Sequence, residues 1–430
     1  MSKFIYLPSF SAGEMGSNFV KDHRFRNGMT IRFYSDEFPK EYQHKSLLIT
    51  AGAHMSVQDY RNKMGLTDDN FVMGDSGGYQ FASGALKWDL KYRDKIFNWL
   101  SENTDVAMNL DLPPRLTNQG KFQECLDLSI DNFKYFADKQ DGSTKFMNVV
   151  QGDDEETYMH WYDKVKDFPF QGWGIGGAGG SLYRFMSGVV ALLNGKEHLD
   201  PMNEYFHILG TSKIRDFLML IQLQKSLEDI GSNITVTTDS SSPDRAVVFG
   251  TYYTRFSIKK NSFESLNFPN EKHNPDIIGW FREAKNQHWP KMTEFDDVLK
   301  GLVGWKDVAD WNTQCTMAMR LHNFYVFKDA IRNVTDLVYG HDYILEQAIN
   351  KNVYKVLKSI DEMVKSDDPL SVFEKYKELY KSMSNTKKVL SYKEDQKFDL
   401  SEVDKKKLEE VKEEIKKLKE KHVSYGDDFI

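Results

Sequence analysis

Phe71-Val-Met-Gly-Asp-Ser-Gly-Gly-Tyr-Gln80 is the stretch whose reading decides the fold. Phe71, Val72 and Met73 form a short apolar run suited to a buried strand, and Asp75 stands just past its end. Gly77 and Gly78 carry no Cβ, so the chain can turn sharply there or approach a ligand closely. Tyr79 adds a flat ring and Gln80 a donor and an acceptor. A carboxylate, a bare backbone and an aromatic face together suit a planar polar ligand.

Outward from this stretch the same pattern repeats. Apolar or β-branched runs occur at Leu47–Ala51, Val106–Leu110, Phe146–Val150, Gly172–Ile175, Tyr205–Leu209 and Ile234–Thr238. Arg245–Tyr253 can supply another. Most end in a polar residue or glycine: Asp111, Gln151, Gly176-Gly177, Gly210 and Asp239. Successive strand ends lie roughly 25 to 40 residues apart, the length of a strand–helix unit. Helical patterns fill the gaps at Trp88–Ser101, Lys121–Lys139, Glu155–Lys166, Leu182–Leu193 and Lys213–Asp229. Seven or eight such units predict an α/β fold, a (β/α)8 TIM-like barrel. In that fold active-site residues sit at the C-terminal ends of the strands, where the polar residues recur here.

The first 45 residues show no clear period. After Tyr253 the rhythm breaks, and Pro269, Pro275 and Pro290 interrupt a polar stretch over 257–304, read as an insertion on the barrel rim. Trp305–Asp329 reads as a helix with Trp305, Val308, Trp311, Cys315 and Met319 on one stripe. The expected barrel domain is therefore 1–340. The Lys/Glu-rich region 341–430 is expected to be a solvated helical appendage, a nucleic-acid or partner-binding role being the alternative, with a cap at Ser401 and Asp404 and a seam of Leu408, Val411, Ile415 and Leu418.

The chain has 430 residues, 40% hydrophobic and 28% charged, which fits a globular protein with a sizeable core. No run of about 18 apolar residues occurs, and the N-terminal stretch is too short and too early broken for a signal peptide. Two cysteines, Cys125 and Cys315, exclude a disulfide framework and a Cys-rich zinc site, and they fit a reducing, cytoplasmic compartment. A net charge of −7 argues against indiscriminate nucleic-acid binding while leaving room for a local basic surface. Gly74-Asp-Ser-Gly-Gly78 matches the nucleophile loop of trypsin-like proteases, but His54 and Ser76 are only roughly 20 positions apart. That leaves no room for the two β-barrels of that architecture.

Any one of Asp75, Asp111 and Asp239 could be a helix cap or turn former. Three on one rim, with Gln151-Gly152 and Gly176-Gly177, point to a site. The motifs Asp75-Ser-Gly-Gly-Tyr-Gln80, Asn109-Leu-Asp-Leu-Pro-Pro114, Val149-Val-Gln-Gly152, Ile175-Gly-Gly177, Leu209-Gly210 and Thr238-Asp-Ser-Ser-Ser-Pro-Asp-Arg245 stand in a telling order. Their order and spacing resemble those of tRNA-guanine transglycosylases, over roughly residues 45–255, with a weaker match at Leu321-His-Asn-Phe324. These barrels exchange guanine in nucleic acid for a 7-deazaguanine, without cofactor. The resemblance implies Asp239 as nucleophile on the sugar C1′ and Asp75 as the group taking the proton from the incoming base. It implies Asp111 and Gln151 as readers of the base edge, a Gly177 N–H on the base carbonyl, and Tyr79 and Leu209 on the two base faces. Ser76, Gly78, Gly176 and Gly210 complete the expected base-binding set. Arg245, Lys259 and Lys260 are the expected nucleic-acid contacts.

One part of the family pattern is missing. The tRNA enzymes carry a structural zinc held by three close cysteines and a histidine; here Cys315 and His322 alone remain, too few for a tetrahedral site. His322 is expected to be a core residue and no metal is expected. The loss makes the chain resemble the branch that inserts 7-deazaguanines into DNA, encoded by some bacteriophages (hence a host cytoplasm) and by bacterial DNA-modification clusters. The expected partners are DNA, guanine and a 7-deazaguanine such as the 7-cyano base. The alternatives are a tRNA enzyme, a non-catalytic nucleic-acid-binding partner subunit, and an unrelated barrel hydrolase.

Overall fold

Eight short parallel strands carry the molecule: β1 Ile5–Pro8, β2 Ser46–Thr50, β3 Phe71–Asp75, β4 Val106–Met108, β5 Lys145–Gln151, β6 Gly172–Gly176, β7 Tyr205–Ile208 and β8 Thr235–Ser240. The structure is a computed structural model that describes residues 3–10, 14–25, 28–86, 89–179, 181–211, 213–257, 262–267 and 313–384. The strands hydrogen-bond in the order β1-β8-β7-β6-β5-β4-β3-β2, and β1 lies alongside β2 without a ladder, so the barrel is closed except at that seam. Each strand is covered by helices outside and by side chains inside, which is why most read as nearly continuous apolar runs. The wall helices Leu90–Asn103, Phe122–Lys139, Glu155–Val165, Leu182–Asn194 and Ile214–Asp229 lie within two residues of their expected bounds. Side-chain caps at Asp89, Asp154 and Ser181 start three of them.

Inward-facing residues stack in layers along the barrel axis. Phe71 of β3 stacks on Tyr205 of β7 at the N-terminal end, with centroids 5.8 Å apart. One layer up, the Thr237 hydroxyl of β8 lies 4.0 Å from Met73 Sδ of β3, across the interior from a strand that is not its neighbour. Side chains on a strand alternate faces, so Asp75 and Asp239, each two residues further on, occupy the next layer. That layer is the C-terminal mouth.

Two strand expectations need correction. One barrel strand comes from the first 45 residues, where no period was visible: β1 pairs with β8 in the register Leu7↔Asp239. The Arg245–Tyr253 segment is not a barrel strand. Ser242–Val248 is a helix with proline in its first turn, and Thr251–Ser257 (β9) pairs antiparallel with Ser262–Asn267 (β10) in a separate hairpin. That hairpin covers the start of the expected rim insertion; the rest of 257–304 lies outside the described residues, as do Lys259 and Lys260.

A long helix, Thr313–Tyr339, runs ten residues beyond the expected Asp329 end and packs on the Ile214–Asp229 helix. Met319 of the expected stripe is buried, and Trp305, Val308 and Trp311 lie outside the described residues. The helices Asp342–Ala348, Lys351–Val364 and Pro369–Ser382 follow. The second buries Val353, Val356, Leu357, Ile360 and Met363 against Ile214–Asp229, and the third lays Phe373 beside Tyr183 of Leu182–Asn194. Residues 342–382 thus form a second layer on the barrel wall, with a buried face that the expected solvated appendage lacked. The cap and seam expected over 401–418 lie outside the described residues. Among the described residues, no helix is long and apolar enough to cross a membrane.

Candidate functional site

Asp239, near the end of β8, has differently held oxygens. Oδ1 accepts the backbone N–H of Gly210 at 2.7 Å and lies 3.5 Å from Nε2 of His207; Oδ2 accepts the hydroxyl of Ser9 at 3.1 Å. Its side chain keeps 16% exposure, an opening into the mouth. Asp75 ends β3 beside Thr50, with which it shares a side-chain hydrogen bond, and its Oδ1 accepts the Gly77 N–H at 3.1 Å. Burial pushes the Asp75 carboxyl up to about 6, against the Gly77 hydrogen bond, and the charge of Asp239 pushes the same way. The two carboxyls therefore share one electrostatic environment.

Asp111 follows β4 and is 5% exposed. Its Oδ2 accepts Nε2 of Gln151, the last residue of β5, at 2.7 Å. Burial pushes Asp111 up to about 7; the Gln151 bond opposes the shift and the charge of Asp75 adds to it. Gln151 pairs in register with Gly176 on β6. A Cβ on Gly176 would stand 2.0 Å from Gln151 Nε2, so the missing side chain is what lets the amide reach Asp111. The Gly176 carbonyl accepts the Tyr158 hydroxyl at 2.6 Å.

Several expected base-binding residues also make contacts within the protein. Ser76 is buried and donates its hydroxyl to the Asn109 carbonyl at 3.1 Å, tying β3 to β4. Gly78 packs against the Asp111 carbonyl, 2.6 Å from where a Cβ would be. Gly177, at φ +74°, lies under the Arg115 guanidinium, which in turn donates to the Asp153 carboxylate at 2.7 Å and to the Gly152 carbonyl. Arg184 reaches the same Asp153 oxygen at 2.7 Å, so a buried carboxylate is compensated by two cations. Leu209 is half-buried and its Cδ1 leans over Gly174. Tyr79 is 53% exposed at the rim. Arg245 is exposed on the helix after β8, its guanidinium 5.8 Å from the Phe249 ring centre. That helix is anchored by the buried Asp244–Arg320 pair at 3.3 Å and by the Asn323 amide on the Pro243 carbonyl.

His322 is a buried, hydrogen-bonded core residue, as expected: its Nε2–H donates to the Tyr253 carbonyl at 2.8 Å, and burial pushes its pKa down to about 4. The residues missed by the sequence reading are Ser9, Thr50, Arg115, Asp153 and His207. His207 did carry a signal, a polar residue inside the otherwise apolar Tyr205–Leu209 run.

No protein-family model matches the chain, and no curated protein matches it. Among solved structures, the carboxyl transferase domain of Rhizobium etli pyruvate carboxylase with pyruvate aligns at a TM-score of 0.30 and 10% identity. The alignment covers 82% of this chain and 51% of that one, so the chain spans about half the length of that structure. A tyrosine-to-alanine variant of the same domain aligns at a TM-score of 0.29 and 10% identity, over 94% and 72%. Likeness at this level bears on neither reaction nor ligand.

Proposed function

We propose that the chain is a base-exchange transglycosylase that replaces guanine in DNA with a 7-deazaguanine through a covalent Asp239–sugar intermediate. The observation that carries the reading is the placement of Asp75 and Asp239 in one inward-facing layer at the barrel mouth, with the Asp111–Gln151 pair beside them. Asp239 supplies the electron pair that bonds to C1′ as the C1′–N9 bond breaks, and the departing guanine takes its N9 proton from the Asp75 carboxylic acid. The incoming base gives its N9–H to the Asp75 carboxylate, and its electron pair at N9 displaces Asp239 from C1′. Protons and charges balance over the two halves without a cofactor. A carboxyl poised at about 6 can serve as acid in one half and base in the other near neutral pH.

Asp111 and Gln151 provide acceptors and a donor for the polar edge of the base, and exposed Tyr79 offers a stacking face at the rim. Reaching Asp239 requires the target nucleotide to leave its stack. The choice of DNA rests on the resemblance together with the cysteine count of two, too few for the zinc set of the tRNA enzymes. Two cysteines fit a reducing cytoplasm, and the resemblance adds that of a host cell for a phage-encoded chain.

The test is incubation with labelled 7-cyano-7-deazaguanine and either duplex DNA or tRNA. Label is expected in DNA, together with a denaturation-resistant protein–DNA adduct that Asp239→Asn lacks. Label in tRNA alone overturns the substrate, and exchange by Asp239→Asn overturns the mechanism.

A further inference from the structure

We infer that His207 is a positioning residue for this exchange, presenting an Nε2–H to Oδ1 of Asp239 so that Oδ2 is the attacking oxygen. The inference rests on the transglycosylase reading above and deepens it. His207 lies on β7 in register with Gly174 on one side and Thr237 on the other, and its side chain is completely buried. Nδ1 lies 2.9 Å from the Thr237 hydroxyl, and Nε2 lies 3.5 Å from Asp239 Oδ1 with no hydrogen-bond partner among the described residues.

The ring tautomer follows from these neighbours. A neutral ring with its proton on Nδ1 would set the Nε2 lone pair against the carboxylate lone pairs, a repulsive contact. A proton on Nε2 is attractive and leaves Nδ1 to accept the Thr237 hydroxyl, whose other neighbour, Met73 Sδ at 4.0 Å, is a weak acceptor. A doubly protonated ring also directs an N–H at Asp239. At 3.5 Å the contact is at the outer limit of a hydrogen bond, and contacts of this kind tighten when substrate fills a site.

The two Asp239 oxygens then have separate tasks. Oδ1 is held from the scaffold side by the Gly210 N–H and by His207; among the described residues, Oδ2 is held by the Ser9 hydroxyl. A hydroxyl can rotate away, whereas a backbone amide and a packed imidazole cannot. Oδ2 thus forms the bond to C1′ and Oδ1 remains the carbonyl oxygen of the ester. When the incoming base breaks the C1′–Oδ2 bond, the electron pair returns to the carboxylate and spreads onto Oδ1, where the two N–H groups receive it.

His207→Leu and His207→Gln separate this role from packing, because glutamine can return an N–H to the same region. In steady-state exchange, His207→Leu is expected to lower kcat on the order of 10- to 100-fold with KM for the free base nearly unchanged. The covalent adduct should persist longer, since its resolution is the step that returns charge to Oδ1. His207→Gln is expected to recover most of the loss. Thr237→Val, which keeps the ring packed but removes its orienting hydroxyl, should give an intermediate loss and serves where the leucine variant does not fold. Wild-type kcat in His207→Leu or Thr237→Val, or equal loss in the leucine and glutamine variants, overturns the inference. With Asp239→Asn inactive, such a result leaves the transglycosylase reading standing; with Asp239→Asn active, that reading falls as well.

Discussion

Gly176→Ala probes the base-reading pair without replacing a polar group. Gly176 has no positive φ, so the backbone accepts alanine without strain. The added Cβ, however, would stand 2.0 Å from Gln151 Nε2, 2.4 Å from its Cδ and 2.7 Å from its Oε1. Ordinary contact begins at 3.4 Å, so the amide must withdraw by about 1.4 Å. That movement carries Nε2 out of reach of Asp111 Oδ2, now 2.7 Å away. Gln151 is 3% exposed, so the displaced amide finds no water in exchange. The displaced amide is lost to the base edge as well, and one hydrogen bond to a neutral base is worth about 0.5–1.5 kcal/mol, on the order of 2- to 13-fold in binding. Calorimetric titration with free guanine should show that weakening. Gly174→Ala, on the same strand and face, is the control: its nearest neighbours stand at 3.4 and 3.5 Å, and affinity should stay near wild type. Unchanged guanine affinity in Gly176→Ala, or an equal loss in Gly174→Ala, would refute the geometric reasoning.

Further predictions concern charge and packing. Asp75, pushed up to about 6, is protonated below that pH and ionised above it. Adduct formation in the absence of free base should therefore fall as pH rises through about 6, while resolution of preformed adduct by the 7-deazaguanine should rise; gel-resolved adduct kinetics from about pH 5 to about pH 8 measure both. Asp111 is held near 7, above the ordinary 3.8, so its contribution to stability is full below about pH 4 and is lost as pH rises through about 7. Asp111→Asn should remove that dependence, narrowing the stability difference between acid and alkaline solution by up to roughly 4 kcal/mol in denaturant titrations. Phe373 is fully buried, so Phe373→Ala should cost about 3–5 kcal/mol if the second helical layer is integral to the fold; an unchanged melting curve would make that layer dispensable.

Most of the barrel was legible because its strands are buried on both faces. Phe146–Val150 and Ile234–Thr238 announce themselves locally by apolar and β-branched runs and by the polar residues that end them. β1 gave no such signal: it has four residues, ends at Pro8, and becomes a strand by pairing with the edge of β8, more than half the chain away. Arg245–Tyr253 suggested a further strand, yet its first four residues, Arg245–Val248, are helical. Pro243 sets the first turn and the buried Asp244–Arg320 pair holds that turn to the Thr313–Tyr339 helix. Propensity lost there to a tertiary contact.

From the residues alone came the strand–helix alternation, the strand ends, and the positions of Asp75, Asp111, Gln151 and Asp239, since periodicity and end-of-strand chemistry are local properties. Folding alone decided which oxygen of Asp239 meets Ser9 and which meets His207, and that Gly78 and Gly177 yield space to Asp111 and Arg115. These are relations between side chains distant along the chain. They depend on register and barrel closure, where a shift of one residue would turn each of these side chains to the opposite face.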